Sequence, residues 1–150
     1  MKISTKGRYG LEALLDLAIH SSEGHVNIKS IAERCGKSEA YILQIFLTLR
    51  KAGIVESIRG AQGGYRLAKE PAEITVGDIL NALEGPLAPV ACIIPDTKQP
   101  CDRYENCATR AVWERIMDSL NNVVNEITIA DLLKSYKEAN YRQADLEYYL

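Results

Sequence analysis

The sequence contains no apolar run close to the roughly 20 residues that a membrane-spanning helix needs, so no membrane association is expected. The first nine residues are basic but lack the continuous apolar segment of a secretory signal. The protein is therefore expected to be cytoplasmic. Thiols stay reduced in that compartment, so the four cysteines are not expected to form structural disulfides.

Motifs of common enzymes are also missing. There is no nucleophile–base pair, no phosphate-binding loop and no two-histidine metal motif, since His20 and His25 are the only histidines. We therefore do not expect an enzyme. Disorder is not expected either, because 47% hydrophobic and 25% charged residues are typical of a globular chain. A length of 150 residues suits one domain, or one small domain with an appended oligomerisation arm.

The net charge of −2 is unevenly distributed along the chain. Residues 1–70 carry 11 Lys and Arg against 7 Asp and Glu, whereas residues 71–150 carry 7 against 13. The first part is therefore net +4 and the second net −6. A basic first half suits a polyanionic partner, although charge alone does not distinguish this from chance.

Three amphipathic helices are predicted in the first third of the chain. Apolar residues at three- and four-residue steps indicate a helix over about residues 8–21. Asn27 is placed as the N-cap of a second, short helix, which Gly36 ends. Ser38 is the N-cap of a third helix that ends near Gly53.

The pattern then changes to two short strands, residues 54–58 and 65–68. They are joined by residues 59–64, which include three glycines suited to an irregular hairpin turn. Two short helices joined by a glycine-containing turn and followed by a hairpin are typical of a winged helix-turn-helix. The sequence therefore predicts a fold that binds double-stranded DNA.

Candidate DNA contacts fall into three groups. The polar face and N-terminal end of the third helix offer groups to base edges: Ser38, Glu39, Ala40, Gln44, Thr48 and Lys51. Arg59 at the hairpin tip is placed to enter a minor groove. A set of cations in the first half of the chain are candidate phosphate contacts, with Lys51 counted in this group as well: Lys2, Lys6, Arg8, Lys37, Arg50, Lys51 and Arg66. A polar helix face alone is also typical of a solvated helix; the helix pair, hairpin and basic charge together favour DNA binding.

The second half is predicted to be helical around one irregular segment. Thr75 caps a fourth helix over residues 76–83, and four of the five prolines follow within the irregular segment 86–106. A long helix is predicted from about 105 to 125, then a further helix from Thr128 to about Lys137.

The long helix carries an apolar stripe over about 30 Å, more than a small core can cover. We infer that a second copy covers it in a two-fold dimer. The predicted dimerisation residues are Val112, Trp113, Ile116, Leu120, Val123 and Val124.

Three of the four cysteines are clustered in the irregular segment. Cys92, Cys101 and Cys107 follow one another at nine- and six-residue steps, whereas Cys35 lies on the apolar stripe of the second helix and is expected in the core. Such a cluster indicates a soft metal or iron–sulfur site, a redox switch, or no site at all. Structural zinc is disfavoured because its usual pairs of cysteines two residues apart are missing. Iron–sulfur clusters normally take four protein ligands, so one ligand is left to find.

Residues 1–11, 49–60 and 63–67 resemble the family of the iron–sulfur cluster regulator IscR, which also contains nitric oxide, iron and cysteine-metabolism repressors. The resemblance extends from residue 1 to about 135. It implies a homodimer that binds a palindromic operator and carries a cluster, usually 2Fe–2S, on Cys92, Cys101 and Cys107. It also implies control of cluster-assembly genes, with cluster-assembly proteins as donors of the cluster.

The fourth ligand departs from the family pattern. IscR-like proteins often have a histidine three residues after the third cysteine, but Arg110 stands there. Other members take a carboxylate from the first helix of the partner subunit, at a position that is Arg8 in this chain. Glu12, one turn later, is the leading candidate when supplied by the partner subunit. A solvated carboxylate that binds no metal is the alternative for Glu12.

The predicted fold is mainly α: a winged helix-turn-helix DNA-binding domain with a β-hairpin wing and a long C-terminal dimerisation helix. Its parts are a DNA-binding domain at 1–84, including a connecting helix at 75–84, a cluster-binding loop at 85–107, dimerisation helices at 105–140 and a loosely ordered tail at 141–150. The predicted function is that of a transcriptional regulator, such as a repressor, that senses cluster status. The alternatives are a repressor of the same fold answering nitric oxide, iron or a metabolite, and a metal-binding interaction module that does not bind DNA.

Overall fold

The computed structural model describes residues 1–97 and 101–149, and these residues confirm the predicted mainly helical winged-helix fold. The α-helices are α1 Thr5–His20, α2 Ile28–Cys35, α3 Glu39–Lys51, α4 Val76–Glu84, α5 Arg110–Glu126 and α6 Ile129–Tyr148. The strands are β1 Val55–Ile58 and β2 Gly64–Leu67, paired antiparallel. Short 3₁₀ turns lie at Ser21–Glu23, Pro71–Glu73, Ala91–Ile93 and Tyr104–Asn106.

The helix starts predicted from capping residues are confirmed. The side chains of Asn27, Ser38 and Thr75 each accept a hydrogen bond from the backbone N–H three residues on, at 2.8, 3.2 and 3.0 Å. These bonds satisfy donors that the first turn of a helix leaves unpaired. Gly36 ends α2 with φ of 63°, a left-handed conformation that favours glycine. The turn between α2 and α3 is therefore fixed by local chemistry.

The main core lies between α1, α2, α3 and the hairpin. Phe46 is fully buried at its centre, and its ring meets that of Tyr65 edge-on, with centroids 5.1 Å apart. Ile79 from α4 and Ile129 from α6 are buried in the same cluster. Full burial of each such side chain contributes roughly 1.5–3 kcal/mol to the free energy of unfolding. The DNA-binding domain and the start of α6 therefore share one core.

The hairpin is attached to the helices by a third extended segment. Val26 and Tyr65 exchange two backbone hydrogen bonds, each 2.8 Å long. A Cβ atom at position 64 would collide with the backbone carbonyl of Val26, so only glycine permits this approach. Gly64 is thus required for docking the wing against the loop before α2.

A second apolar cluster joins α4 to α5. Val76, Leu80, Leu87 and Val124 form it. The segment between α5 and α6 is also tied to the start of α4, because the N–H of Val76 donates to the carbonyl of Ile127 at 2.8 Å. Helix α5 also contacts the 3₁₀ turn Ala91–Ile93.

Two helices, α1 and α5, begin at a different residue from the one predicted. Helix α1 begins at Thr5 rather than near residue 8, because the Ser4 hydroxyl caps it by accepting from the N–H of Gly7 at 3.2 Å. Helix α5 begins at Arg110 rather than near residue 105. The backbone at Cys107 is extended, with φ −83° and ψ 106°, so the 3₁₀ turn before it cannot continue into the helix.

The last helix is longer than predicted. Helix α6 continues to Tyr148 instead of ending near Lys137, whereas the loose ordering expected of the tail from residue 141 stays a prediction. Residues 129–148 contain neither glycine nor proline, and several good helix formers extend the helix beyond its last apolar contact. No helix in the described parts of the chain is both long enough and apolar enough to cross a bilayer.

Candidate DNA interface and cysteine segment

Helix α3 presents a polar face away from the core. Its apolar side is buried through Ile42, Ile45, Phe46 and Leu49, which fixes the rotation of the helix about its axis. The predicted reading residues that lie exposed on the other side are Ser38, Glu39, Ala40, Gln44 and Lys51. Thr48 differs, since it is half-buried and its hydroxyl donates to the Gln44 carbonyl at 3.2 Å. Leu43 is 40% exposed beside this face, where an apolar group suits a thymine methyl.

The wing places Arg59 at its exposed tip. Strand pairing runs from Val55 opposite Leu67 to Ile58 opposite Gly64, so residues 59–63 form the connecting loop. Arg50 near the end of α3 donates to the Ser57 hydroxyl at 3.1 Å and joins the recognition helix to the wing. The two predicted reading elements are therefore held in a fixed relation to each other.

The cations predicted to contact phosphate differ in their surroundings. Arg66 pairs with Glu56 directly across the hairpin at 2.8 Å, so its charge is already partly neutralised. Lys2 is exposed and Lys6 is half-buried at the start of α1. Arg8 and Lys37 are far apart in the sequence, but both lie against the ring of Tyr9, a residue that the sequence analysis did not select.

The three clustered cysteines lie in the segment that connects α4 to α5. All are free thiols: Cys92 is half-buried in a 3₁₀ turn, Cys101 is exposed and Cys107 is half-buried just before α5. Cys92 and Tyr104 line the same shallow surface hollow. Among residues 1–97 and 101–149, however, no three Cys, His, Asp or Glu side chains are arranged to hold a metal ion. The donor set matches an iron–sulfur cluster in chemistry, but this single chain does not gather the thiols.

The thiol of Cys107 lies among hydrogen-bonding groups at the start of α5. The Thr109 hydroxyl lies 3.4 Å from its sulfur, and this contact, with the backbone N–H groups of Thr109 and Arg110, lowers the pKa of Cys107. Burial instead raises the pKa of Cys35, which packs against the main core as predicted. The thiolate is the form that binds metal, so the two environments favour different roles.

The residue that replaces the family histidine, and the two histidines of the chain, make other contacts. Arg110 donates to the Tyr104 carbonyl at 2.7 Å and its guanidinium stacks over that ring at 4.5 Å. His20 contacts the Asp16 carbonyl at 2.8 Å, and His25 contacts the carbonyl of Gln62 in the wing. Glu12 is exposed on α1 and stays a candidate from a partner subunit.

The apolar stripe of α5 is divided between two surroundings. Val112, Ile116 and Val123 are 50, 42 and 55% exposed, and they lie within an arc of about 40° on the helix. Val124 is buried and Leu120 half-buried against α4, so they belong to the chain's own second core. Of the six predicted dimerisation residues, Val112, Ile116 and Val123 therefore form the exposed face, and Trp113 is half-buried beside it.

A helix-turn-helix with an exposed polar recognition face, followed by a docked hairpin tipped by arginine, defines a winged-helix DNA-binding protein. A family of this class, Rrf2, described as iron-dependent transcriptional regulators, matches residues 3–135. The chain belongs to the Rrf2 family and is a transcriptional regulator of the IscR and CymR type. The resemblance inferred from the sequence is confirmed.

Similarity extends over nearly the whole chain in several relatives. The HTH-type transcriptional regulator CymR of Bacillus subtilis (strain 168) is 43% identical, with 100% of this chain and 98% of CymR covered. The HTH-type transcriptional regulator IscR of Serratia proteamaculans (strain 568) is 38% identical, with 90% and 80% covered. The solved structure of T. potens IscR superposes with a TM-score of 0.74 at 48% identity, covering 93% of this chain and 90% of that one.

Proposed function

We propose that the protein is a homodimeric, cytoplasmic regulator that binds palindromic operator DNA and responds to iron–sulfur cluster status. In this proposal Cys92, Cys101 and Cys107 hold a 2Fe–2S cluster, and the genes controlled are those of cluster assembly. The observation that carries it is the position of the three free thiols, which lie between α4, packed on the DNA-binding core, and α5, which carries the free apolar face. Similarity to IscR proteins supports it.

The signal would be the binding or the loss of the cluster. The chain itself contributes the Cys107 thiol, whose pKa is lowered by its contacts with Thr109, and a segment fixed at its C-terminal end by Arg110 on Tyr104. In this proposal Glu12 of a partner subunit supplies a carboxylate as the fourth ligand. Cluster-assembly proteins would be its donors. The test is purification without oxygen, followed by iron and sulfide analysis and a visible spectrum. A colourless protein lacking both elements would contradict the proposal.

A second candidate is a regulator of cysteine metabolism without a cluster. The observation in its favour is the 43% identity to CymR over the full chain, since CymR is described as the global cysteine regulator of B. subtilis. The same iron and sulfide analysis distinguishes the two, because a regulator without a cluster would contain neither iron nor sulfide after purification without oxygen.

Arg59→Ala should lower operator affinity by about 1–3 kcal/mol and relax sequence preference where the wing lies, because a guanidinium in a narrow minor groove reads shape. Arg59 is exposed at the hairpin tip and takes part in none of the ion pairs among the described residues. Fluorescence anisotropy on matched and scrambled operator duplexes measures both effects. Lys37→Ala is the comparison, since it should weaken both duplexes equally. Equal losses in both variants on both duplexes would show that Arg59 contacts only phosphate.

A further inference from the structure

The surface beside the recognition helix carries two cations held on one aromatic ring. The ammonium of Lys37, in the turn between α2 and α3, lies 3.8 Å from the ring centroid of Tyr9. The guanidinium of Arg8 lies 4.8 Å from the same centroid, and its Nη2 donates to the Tyr9 hydroxyl at 2.8 Å. Both contacts are within the range of cation–π attraction.

The ring is itself oriented by the recognition helix. Tyr41, in the first turns of α3, meets Tyr9 edge-on with centroids 6.4 Å apart and planes at 80°. Tyr9 therefore connects α1 to the N-terminal end of α3. Arg8 and Lys37 are 29 positions apart in the sequence, and this shared ring is what brings them together.

Holding two cations together at a helix N-terminus is electrostatically unfavourable unless an anion joins them, because that helix end already carries partial positive charge. Within the described residues, neither Arg8 nor Lys37 forms an ion pair with a carboxylate. The hydrogen bond from Arg8, and then the contact with Lys37, lowers the pKa of the Tyr9 phenol, as concentrated positive charge should. The cluster thus has a net positive charge, which an anion would stabilise.

We infer that Tyr9, Arg8 and Lys37 form a clamp for one phosphate of the DNA backbone beside the N-terminus of α3. Tyr9 is the positioning residue of this clamp: its ring and hydroxyl hold the two cations at one point of the surface, so less side-chain freedom is lost when phosphate binds. This inference rests on the proposed function, because it needs the winged helix to lie on DNA.

The test measures affinity for a 30-base-pair duplex of unrelated sequence against salt concentration, for the full-length protein and its variants. Tyr9→Leu should weaken binding about fivefold and reduce the salt slope by about one for each clamp engaged, because phosphate contacts act regardless of sequence. Tyr9→Phe keeps the ring but loses the hydrogen bond from Arg8. Its affinity and its salt slope should lie between those of the wild type and those of Tyr9→Leu. Tyr141→Leu, at an exposed tyrosine of α6, is the control and should change neither quantity.

A double-mutant cycle separates positioning from general packing. In a Lys37→Ala background, Tyr9→Leu should cost much less than in the wild type, because part of what Tyr9 positions is already gone. An unchanged salt slope in Tyr9→Leu, or equal losses in both backgrounds, would overturn the clamp. If circular dichroism shows that Tyr9→Leu does not fold, Tyr9→Phe is used instead. A salt slope of Tyr9→Phe equal to that of the wild type would then overturn the clamp. A wild type that does not bind duplex DNA would instead contradict the proposed function itself.

Discussion

Ile116→Lys should convert a dimer into a monomer and abolish tight operator binding. Ile116 lies on the exposed face of α5, between Val112 and Val123 along the helix. If a second copy covers this face, two-fold symmetry places two ammonium groups in one apolar seam, at a cost of several kcal/mol. Since each 1.4 kcal/mol is a factor of ten, the dimer dissociation constant should rise by more than about a hundredfold.

Sedimentation velocity over a range of concentrations measures this shift. The matched control is Asp118→Lys, because residue 118 is exposed on the opposite side of the same helix. Leu120→Lys is unsuitable, since Leu120 packs against α4 and its loss would disturb the fold. A dimer of unchanged mass in Ile116→Lys would show that this face of α5 is not the subunit interface.

Monomer formation should weaken DNA binding because each protomer carries one recognition helix. A dimer reads two half-sites about one helical turn apart, and the second contact is then made within one complex at high effective concentration. A monomer loses this advantage even though its own α3 and wing are intact. Ile116→Lys should therefore retain weak, salt-sensitive binding to a half-site duplex, whereas Asp118→Lys should bind the full operator normally.

Local signals in the sequence predicted most of the fold. The caps at Asn27, Ser38 and Thr75 and the left-handed Gly36 depend on residues within one helical turn, so they could be identified without knowing the tertiary structure. The hairpin followed from a change of periodicity and from its glycines. The end of α6 could not be identified in this way, because an exposed helix without a stop residue has no apolar pattern to follow.

Contacts made through space account for the remaining differences. The stripe on α5 is one pattern in the sequence, yet Val124 packs on its own chain while Val123 faces outward, and only the position of α4 decides between them. The role of Tyr9 could not be predicted for the same reason, since its partner Lys37 is distant in sequence. The cysteines were found easily, but their spacing does not specify whether one chain can bring three thiols together.

Cys92→Ala, Cys101→Ala and Cys107→Ala should each yield a colourless protein that retains little iron and sulfide. Iron–sulfur clusters prefer thiolate ligands, and neither water nor a carboxylate replaces a missing thiolate well. Cys35→Ala is the matched control and should remain brown, because Cys35 packs against the main core on α2. Metal analysis and visible spectra under nitrogen give the result. Retention of colour in all three variants would place any cluster elsewhere.

The same variants test whether cluster status controls the choice of DNA. The cysteine segment leads directly into α5, whose free face we propose as the subunit interface, so a change in this segment could alter the distance between the two recognition helices. A ligand shifts such an equilibrium only by its difference in affinity for the two arrangements. The anaerobic holo protein and Cys92→Ala should therefore differ in affinity on some genomic fragments and agree on others. Cys35→Ala should match the wild type on every fragment. Identical affinities for the holo protein and Cys92→Ala across the whole panel would mean that a cluster, where present, does not act as the signal.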